Sequence, residues 1–446
     1  MSHVVIIGNG VSGITAARHI RKKDSAIKIT VISAETDYFY SRTALMYIYM
    51  GHMTFENTQP YEPHFWKKNR IELKRAYVNS IDYNSKLLQL AGGSTINYDF
   101  LILAVGSKPN KLGWKGQDLP GVQGLYSYQD LELLEENSKG VKRAVIVGGG
   151  LIGIELAEML LTRGIQVTIL IREERFWNCS LPDNESELIT RHIYEHGIDL
   201  RISTELDEII AGTDCRVEKL RTKNGETIEC QLVGLTIGVR PNIDFLKHAN
   251  LEVDKGILVN RFLETNMSNV YAVGDCAQFK EPVMGRQPIE QIWYTGKIMG
   301  ETVASTITGN KLKYNPGHWF NSAKFLDIEY QTYGWVSPEL QHDQADFYWE
   351  HQSGKMCMRF VYDKESRKFI GVNAFGIRLR HHVFDAWLNQ KVTVDHVLQH
   401  LKDANFDPEF YKQYENEIVD QFNKETGASI VLKQKSWDRI LSLIKA

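Results

Sequence analysis

Apolar runs alternate with glycine-rich turns and amphipathic segments near the start of the chain, in an order that predicts a strand, a turn, a helix and a second strand. The stretch VVIIGNGVSGI (Val4–Ile14) joins an apolar run to spaced glycines, and the run IKITVIS (Ile27–Ser33) follows it. The same order recurs in VIVGGGLIGIE (Val145–Glu155) and QVTILI (Gln166–Ile171). Short apolar runs bounded by turn residues are typical of buried parallel strands. The pattern therefore predicts two strand–turn–helix–strand repeats.

Both repeats carry the spacing G-x-G-x-x-G at the turn between strand and helix. The glycines are Gly8, Gly10 and Gly13 in the first repeat and Gly148, Gly150 and Gly153 in the second. In this motif the first glycine allows a tight turn, the second lets the backbone approach a pyrophosphate, and the third lets the helix pack closely on the strand. The helix N-terminus stabilises the bound phosphates through its free N–H groups and its dipole. We expect two dinucleotide-binding sites; the alternative is one working site and a decayed duplicate.

Three later apolar runs predict further buried strands that end in glycine. They are YDFLILAVGSKP (Tyr98–Pro109), CQLVGLTIGVRPN (Cys230–Asn242) and SNVYAVGDCA (Ser268–Ala277). A helix is predicted over roughly 291–308, and the Gly-Asn pair that follows would end it. These elements continue the alternation of strands and helices that is typical of α/β folds.

The composition of the chain changes after Pro316. The short aromatic runs DFYWE, KMCMRFVYD and RKFIGVNAF predict antiparallel strands, because aromatic and β-branched residues are enriched in strands. The segment beyond Gly376 is polar and has a helical pattern, and its role stays open.

Length and charge exclude several classes of protein. The 446 residues suit about two to four domains. A net charge of −3 with 24% charged residues indicates no nucleic-acid partner. No apolar run approaches the roughly 18 residues of a membrane span, and the chain runs directly into a strand, which leaves no room for a signal peptide. We expect a cytoplasmic protein.

The cysteines favour reduced thiols rather than disulfides or a zinc site. Their number is odd and none forms a C-x-x-C pair: Cys179, Cys215, Cys230, Cys276 and Cys357. The adjacent His381 and His382 would not share a helix face. No metal site is expected from these patterns.

Four ordered motifs give the chain a resemblance to a known superfamily. In sequence order they are GNGVSG, LILAVGSKP, GGGLIGIE and YAVGDCA, with GVRPN before the last. Together they resemble the glutathione-reductase-like flavoproteins, the pyridine nucleotide-disulfide oxidoreductase superfamily, over roughly residues 2–376. The aromatic C-terminal strands look most like the branch of ferredoxin reductases, nitrite-reductase flavoproteins and apoptosis-inducing factor.

The resemblance implies an α/β fold with two Rossmann-like dinucleotide-binding domains and a C-terminal α+β domain with an antiparallel sheet. By analogy with the superfamily, residues 1–114 and 243–310 would form a split FAD-binding domain. Residues 115–242 would bind NADH or NADPH, and residues 311–446 would form the C-terminal domain with a helical tail.

The same resemblance implies roles around the FAD. The first three glycines would contact its pyrophosphate, and Glu35 would accept hydrogen bonds from ribose hydroxyls. Asp275 would bind the ribityl chain, with Gly274 permitting its approach. Other positions that match FAD contacts are Arg42, Ala104 and Gly106. The residue after Arg42 is usually proline in the ferredoxin-reductase branch, but Thr43 stands here, which leaves a surface arginine as the alternative.

For the nicotinamide coenzyme, the second three glycines would hold the pyrophosphate, and Gly238 would let the coenzyme pass close to the backbone. Glu155 matches a helix glutamate that holds the nicotinamide amide in this branch. Arg172 stands at a position similar to a phosphate-binding arginine of glutathione reductases and slightly favours NADPH. Glu173 and Glu174 could accept ribose hydroxyls instead, so NADH stays open.

The absence of any cysteine before Cys179 removes the redox disulfide of the disulfide reductases. No side chain is then assigned a certain catalytic role. The resemblance implies an FAD-dependent NAD(P)H oxidoreductase whose electrons pass to an electron-transfer protein. An oxidase that uses oxygen and a coenzyme-responsive sensor are the alternatives, and the oligomeric state stays open.

Overall fold

Strands and helices alternate through most of the chain, as the sequence predicts. The computed structural model describes residues 2–246, 250–406 and 412–433. By their internal contacts the residues group into two compact units, one of Met1–Ile169 with Glu205–Pro316 and one of Leu170–Thr204 with Gly317–Ala446. The division into three domains follows other boundaries and stays a prediction.

The elements that precede the second unit's first segment are, in chain order, β1 (His3–Ile7), α1 (Val11–Lys23), β2 (Lys28–Ser33), α2 (Leu45–Tyr49), α3 (Pro63–Lys68), β3 (Ile71–Arg75), β4 (Val78–Asp82), β5 (Leu87–Leu90), β6 (Thr95–Asn97), β7 (Phe100–Leu103), β8 (Ser107–Pro109), β9 (Val122–Gln123), α4 (Tyr128–Asn137), β10 (Arg143–Val147), α5 (Leu151–Thr162) and β11 (Gln166–Leu170).

The later elements are α6 (Asp183–Glu195), β12 (Asp199–Arg201), β13 (Leu206–Ala211), β14 (Val217–Thr222), β15 (Thr227–Glu229), β16 (Leu232–Leu235), β17 (Val239–Pro241), β18 (Ile257–Val259), β19 (Val270–Ala272), β20 (Ala277–Phe279), α7 (Trp293–Ile307), β21 (Phe320–Phe325), β22 (Ile328–Gly334), β23 (Gln344–Glu350), β24 (Cys357–Asp363), β25 (Phe369–Phe375), α8 (His381–Gln390), α9 (Val394–Gln399), α10 (Leu401–Ala404) and α11 (Glu415–Thr426). Short 3₁₀ helices lie at Arg42–Ala44, Glu56–Thr58, Asp244–Leu246 and Gly274–Cys276.

A parallel sheet with the order β19-β7-β1-β2-β3 forms the centre of the first unit. β1 lies in its middle and is fully buried at Val4, Val5 and Ile6, which explains why its sequence is continuously apolar. Because the strands are parallel, the loops that follow β1, β7 and β19 meet at one edge of the sheet. Open α/β sheets bind their ligands at this carboxyl edge.

A second set of parallel strands in the first unit repeats this plan. β11, β10, β16 and β9 lie side by side in that order, and Ala144 of β10 is paired with Leu232 of β16. The turn after β10 again leads into a helix, α5. Both strand–turn–helix–strand repeats that the sequence predicts are therefore present.

Two of the apolar runs each hold two short strands. β7 stops at Leu103 and β8 starts at Ser107, while β16 stops at Leu235 and β17 starts at Val239. The chain turns within both gaps at a glycine with positive φ, +66° at Gly106 and +88° at Gly238. β8 and β17 then pair with each other in an antiparallel ribbon. The single strand predicted over Tyr98–Pro109 was therefore wrong in its extent, because hydrophobicity alone does not show a turn between two strands.

Several elements of the first unit were not predicted. Two three-stranded antiparallel sheets, β4-β5-β6 and β13-β14-β15, are built from short amphipathic segments. The helix α4 was also missed. It begins with a capping box in which the Ser127 hydroxyl accepts from the Asp130 N–H and the Asp130 side chain accepts from the N–H of Ser127.

The second unit contains a five-stranded antiparallel sheet in the order β21-β22-β25-β24-β23. The three aromatic runs predicted as strands are β23, β24 and β25, whereas β21 and β22 were not predicted. Its core joins the sheet to the helices α8 and α11 through Phe360, Phe384 and Phe422, which are fully buried. The helical pattern after Gly376 is confirmed by α8 to α11. Part of that predicted tail, residues 407–411 and 434–446, lies outside the described residues. Within the part of the chain that is described, no helix is long and apolar enough to cross a membrane.

Candidate dinucleotide-binding sites

The first glycine turn is shaped by close contacts within the backbone. Gly8 has φ +110°, a conformation that side chains make unfavourable, and a Cβ there would lie 2.0 Å from the Ala104 carbonyl oxygen. A Cβ on Gly13 would lie 2.2 Å from the Gly8 carbonyl oxygen. Both glycines are therefore needed to bring β1, the loop after β7 and the helix α1 together.

Gly10 plays a different part, because its own backbone would accept a side chain. Its φ of −71° and ψ of −177° suit any residue, and an added Cβ would meet no described heavy atom within 4 Å. Gly10 is the N-cap of α1 and supplies no side-chain cap to the first N–H groups. An anion can approach these groups closely only if Gly10 lacks a side chain, so the turn fits a bound pyrophosphate.

The second turn repeats these features residue by residue. Gly148 has φ +119°, and a Cβ there would lie 2.6 Å from the Thr236 carbonyl oxygen. A Cβ on Gly153 would lie 2.5 Å from the Gly148 carbonyl oxygen, whereas one on Gly150, the N-cap of α5, would meet none of the described atoms within 4 Å. This second turn has kept the geometry of the first, which favours two binding sites over a decayed duplicate.

Two residues proposed for the FAD site, Glu35 and Arg42, form an ion pair with each other. Arg42 Nη2 lies 2.7 Å from Glu35 Oε2, and Arg42 Nη1 donates to Oε1 at 2.8 Å. Oε1 also accepts from the Tyr40 hydroxyl at 2.5 Å and the Tyr128 N–H at 2.9 Å. Burial alone would raise the pKa of Glu35, but these donors and the Arg42 charge hold the pKa below its usual value. Glu35 is therefore a carboxylate at neutral pH.

Tyr126 continues this network toward the carboxyl edge of the central sheet. Its carbonyl oxygen accepts from Arg42 Nη1 at 2.6 Å, and its ring centroid lies 4.4 Å from the Arg42 guanidinium carbon. Its hydroxyl donates to Asp275 Oδ2 at 3.1 Å and accepts from the Ser107 N–H at 3.0 Å. Gln291 in turn donates to the Ser107 hydroxyl at 2.8 Å. Tyr126 and Gln291 were missed because they belong to none of the four motifs, and Ser107 was missed although it follows Gly106 in one of them.

Asp275 lies where the resemblance implies, directly after β19. Gly274 has φ +73°, and a Cβ there would lie 2.4 Å from the Ser12 hydroxyl oxygen on α1. Burial raises the pKa of Asp275, and the Tyr126 hydroxyl opposes this effect. Ala104 and Gly106 lie in the adjacent loop between β7 and β8. The structure thus brings the proposed FAD contacts of three separate sequence motifs to one edge of one sheet.

Glu155 lies one turn into α5 and carries a perturbed carboxyl group. Burial, with a smaller contribution from the negative charge of Glu158, raises its pKa to about 7. A carboxyl group with this pKa changes its protonation state within the physiological range. Gly238 lies in the turn that connects β16 to β17, on the carboxyl side of the second set of parallel strands.

Arg172 follows β11 directly and is exposed, with 77% of its side chain accessible. Its Nε lies 2.7 Å from Glu173 Oε1. The arginine that favours NADPH and one of the two glutamates that would favour NADH are therefore paired with each other.

The thiols of the buried cysteines are protonated at neutral pH. Burial raises the pKa of both Cys230 and Cys276 to about 12 and holds that of Cys357 well above its usual value. Because the thiolate is the reactive form, these groups are poor nucleophiles. Cys276 lies beside Asp275, yet it is suited to filling the core rather than to redox chemistry.

Residues 2–303 match the pyridine nucleotide-disulphide oxidoreductase family. The chain belongs to this family. Among its relatives, an NADH oxidase of Methanocaldococcus jannaschii is 30% identical over 339 residues, which cover 73% of this chain and 74% of that protein. A rubredoxin-NAD(+) reductase of Acinetobacter baylyi is 32% identical over 288 residues, or 62% of this chain and 72% of that protein.

The fold also agrees with solved structures. A ferredoxin reductase from Rhodopseudomonas palustris superposes with a TM-score of 0.77 over 96% of this chain and 100% of that one, at 24% identity. The expected fold class, superfamily and enzyme class are confirmed. As a member of the pyridine nucleotide-disulphide oxidoreductase family, the protein is an oxidoreductase that uses FAD and NAD(P)H.

Substitutions at two glycines of the first turn should affect stability and FAD binding separately. Gly8→Ala should lower the free energy of unfolding of the FAD-free protein by about 1–3 kcal/mol or more, because it adds strain at positive φ and a clash with Ala104. Gly10→Ser should leave stability within about 0.5 kcal/mol yet weaken FAD binding at least about tenfold, since its side chain would stand before the α1 N–H groups. Chemical denaturation and flavin titration measure the two effects. Tight FAD binding by Gly10→Ser would contradict this account of the turn.

Glu155 should make stability depend on pH. Its pKa is about 7 in the folded protein against an ordinary value of 4.5. Between these pH values only the unfolded chain loses the proton, so the stability contributed by the carboxyl group falls as pH rises through this window and stays low above it. Glu155→Gln should therefore gain more thermal stability over the natural protein at pH 8 than at pH 5.

Glu132→Gln, at an exposed position on α4, is the matched control and should show the same difference at both pH values. An equal effect of the Glu155 substitution at pH 5 and pH 8 would show that its carboxyl group titrates normally.

Proposed function

We propose that this protein is an NAD(P)H-dependent flavoprotein reductase that supplies electrons to an electron-transfer protein. The observation that carries the proposal is the pair of matching glycine turns in one chain. The sequence also has no cysteine before Cys179, so the region around the first turn offers no redox-active thiol. When bound, FAD supplies the means to take a hydride as an electron pair and to release electrons singly. The protein's residues bind and orient the two dinucleotides.

At the FAD site, the first N–H groups of α1 would bind the pyrophosphate. Asp275 would accept hydrogen bonds from the ribityl hydroxyls, and Tyr126 would hold the Asp275 carboxylate in place from its other side. Glu35 would bind the ribose. Because Arg42 already engages both Glu35 oxygens, ribose hydroxyls would have to share that carboxylate or displace the guanidinium. We infer that Arg42 orients Glu35 and contributes positive charge near the phosphates.

At the coenzyme site, α5 would bind the pyrophosphate through the turn at Gly150, and Gly238 would leave room for the coenzyme beside the backbone. Glu155 would receive the nicotinamide amide. We also propose the three-domain division at residues 114, 242 and 310, and a cytoplasmic location, which the five free thiols support.

The state of the buried thiols argues against a disulfide as the acceptor. Disulfide substrates need a reactive thiolate to exchange with, and the buried cysteines Cys230, Cys276 and Cys357 are held as neutral thiols. The rubredoxin-NAD(+) reductase of Acinetobacter baylyi supports a small redox protein as the acceptor. The NADH oxidase of Methanocaldococcus jannaschii supports oxygen as the second candidate.

The two acceptors can be distinguished by turnover of the FAD-bound protein. NAD(P)H consumption should be slow in air and should rise at least about tenfold in anaerobic solution when a rubredoxin or a ferredoxin is added. Asp275→Ala, which should lose FAD, is the inactive control, and a protein with all five cysteines changed to serine should keep its rate within about threefold. Fast consumption with oxygen alone, unimproved by any carrier, would favour the oxidase.

We propose NADPH as the preferred coenzyme. A planar guanidinium can bind two oxygens of a 2′-phosphate, and Arg172 presents one at an exposed position. Arg172→Ala should raise the KM for NADPH about tenfold and that for NADH less than about threefold, because only NADPH carries this phosphate. The exposed Arg221→Ala on β14 is the control and should change neither. Equal effects on both coenzymes would remove Arg172 from the site.

A further inference from the structure

Two histidines and an aspartate of the second unit meet at its surface, apart from every residue discussed above. His192 lies near the end of α6, His196 caps that helix, and Asp327 lies between β21 and β22. One side-chain ligand atom from each of the three lies within 4.8 Å of the others. The sequence did not predict this cluster, because Asp327 is distant from the two histidines along the chain.

The local fold explains why these side chains meet. His192 and His196 are four residues apart, so they lie on one face of the helix end, and their ring centroids are 4.4 Å apart. Phe325 pairs with Ile328 across the hairpin, which makes Leu326 and Asp327 a two-residue turn. Leu326 has φ +56° and is only 3% exposed. Its buried side chain holds the turn in this unfavourable conformation, with Asp327 toward α6.

The hydrogen bonding of His196 leaves one nitrogen without a compatible partner. Its Nδ1 lies 2.9 Å from the His192 carbonyl oxygen, which can only accept, so Nδ1 carries the hydrogen. In the neutral ring, Nε2 is then an acceptor, and it lies 3.4 Å from Asp327 Oδ1, another acceptor. Two acceptors that face each other need a cation or a proton between them. A ring N–H bound to a backbone carbonyl is also the usual arrangement of metal-bound histidine.

His192 also has a ring nitrogen that lacks a hydrogen-bond partner among the described residues. Its side chain is 1% exposed, and Nε2 contacts Asp327 Oδ1 directly, so this contact would have to widen to admit an ion between the two atoms. The nitrogen without a partner among these residues is Nδ1, and the Glu195 carboxylate lies 3.5 Å away from it. If Nε2 binds a metal ion, Nδ1 carries the hydrogen and faces Glu195. That is the carboxylate–histidine–metal arrangement found around zinc.

We propose that His192, His196 and Asp327 bind one divalent transition-metal ion, of which Zn²⁺ is the type. Two imidazoles and a carboxylate suit Zn²⁺. Ligands at about 2.0–2.1 Å in a tetrahedral site are about 3.3 Å apart, close to the 3.4 Å between His196 Nε2 and Asp327 Oδ1. Asp327 is 58% exposed, so water can take a fourth position. The ion would tie α6 to the β21–β22 hairpin.

The positive charge of Lys355 would weaken the binding of a metal ion at this cluster. Lys355 Nζ lies 3.6 Å from Asp327 Oδ2, where its ammonium competes for the carboxylate. Lys355→Gln should therefore tighten metal binding, whereas loss of a ligand should weaken it. This pair of opposite effects distinguishes a metal site from a histidine–aspartate ion pair, which gives no reason for added metal to bind here.

The test uses the full-length protein with FAD bound and with the exposed Cys179 and Cys215 changed to serine, so that free thiols bind no metal. After treatment with a chelator, Co²⁺ or Zn²⁺ is titrated, and bound metal is measured by elemental analysis and by the visible absorption of Co²⁺. One ion per chain is expected. His196→Gln and Asp327→Asn should each weaken binding at least about tenfold, and His342→Gln, an exposed histidine outside the cluster, should leave it unchanged.

Both ligand substitutions are at partly exposed positions, so they should leave the fold intact, and an unchanged far-UV circular dichroism spectrum and an unchanged thermal unfolding curve check this. His192→Ala is less suitable because that ring is buried. Absence of bound metal at micromolar free Zn²⁺ would overturn the proposal. Binding that survives both ligand substitutions, or that weakens in Lys355→Gln, would also overturn it.

Discussion

The first unit depends on close contact between backbone segments at the carboxyl edge of its central sheet. The Gly8 turn approaches the Ala104 carbonyl so closely that no side chain fits between them. This contact fixes where α1 begins, and it brings the loops after β7 and β19 beside the helix N-terminus. The residues proposed to bind FAD come from distant parts of the sequence, and this backbone contact brings them together.

The network from Glu35 to Asp275 shows how two partly buried carboxyl groups are kept close to the proposed FAD site. Burying a carboxylate is unfavourable unless charge or hydrogen bonds compensate it. The Glu35 carboxylate is paired with the positively charged guanidinium of Arg42, whereas Asp275 accepts a hydrogen bond from the neutral hydroxyl of Tyr126. The pKa values move in opposite directions as a result. Arg42 and Tyr126 contact each other, so a change at either residue would reach both carboxyl groups.

Much of the fold could be predicted from sequence because its signals are local. The glycine spacing located both turns, and apolar or aromatic runs located β1, β2, β10 and the three strands β23, β24 and β25 of the second unit. The prediction of one strand over Tyr98–Pro109 failed because the apolar run continued through the turn at Gly106. The predictions also failed at Tyr126 and at the His192–His196–Asp327 cluster, because both depend on contacts between distant residues. The α4 capping box was a local signal that sequence reasoning could have found.

The antiparallel ribbon of β8 and β17 limits how the two parallel sheets of the first unit can move. Both chain crossings between the sheets run through this ribbon, and hydrogen bonds hold them side by side. Two joined crossings resist sliding and twisting far better than a single linker. The glycines at their ends, Gly106 and Gly238, are the points where backbone angles can change at least cost. A displacement of one sheet relative to the other would therefore have to change the backbone angles of both crossings at the same time.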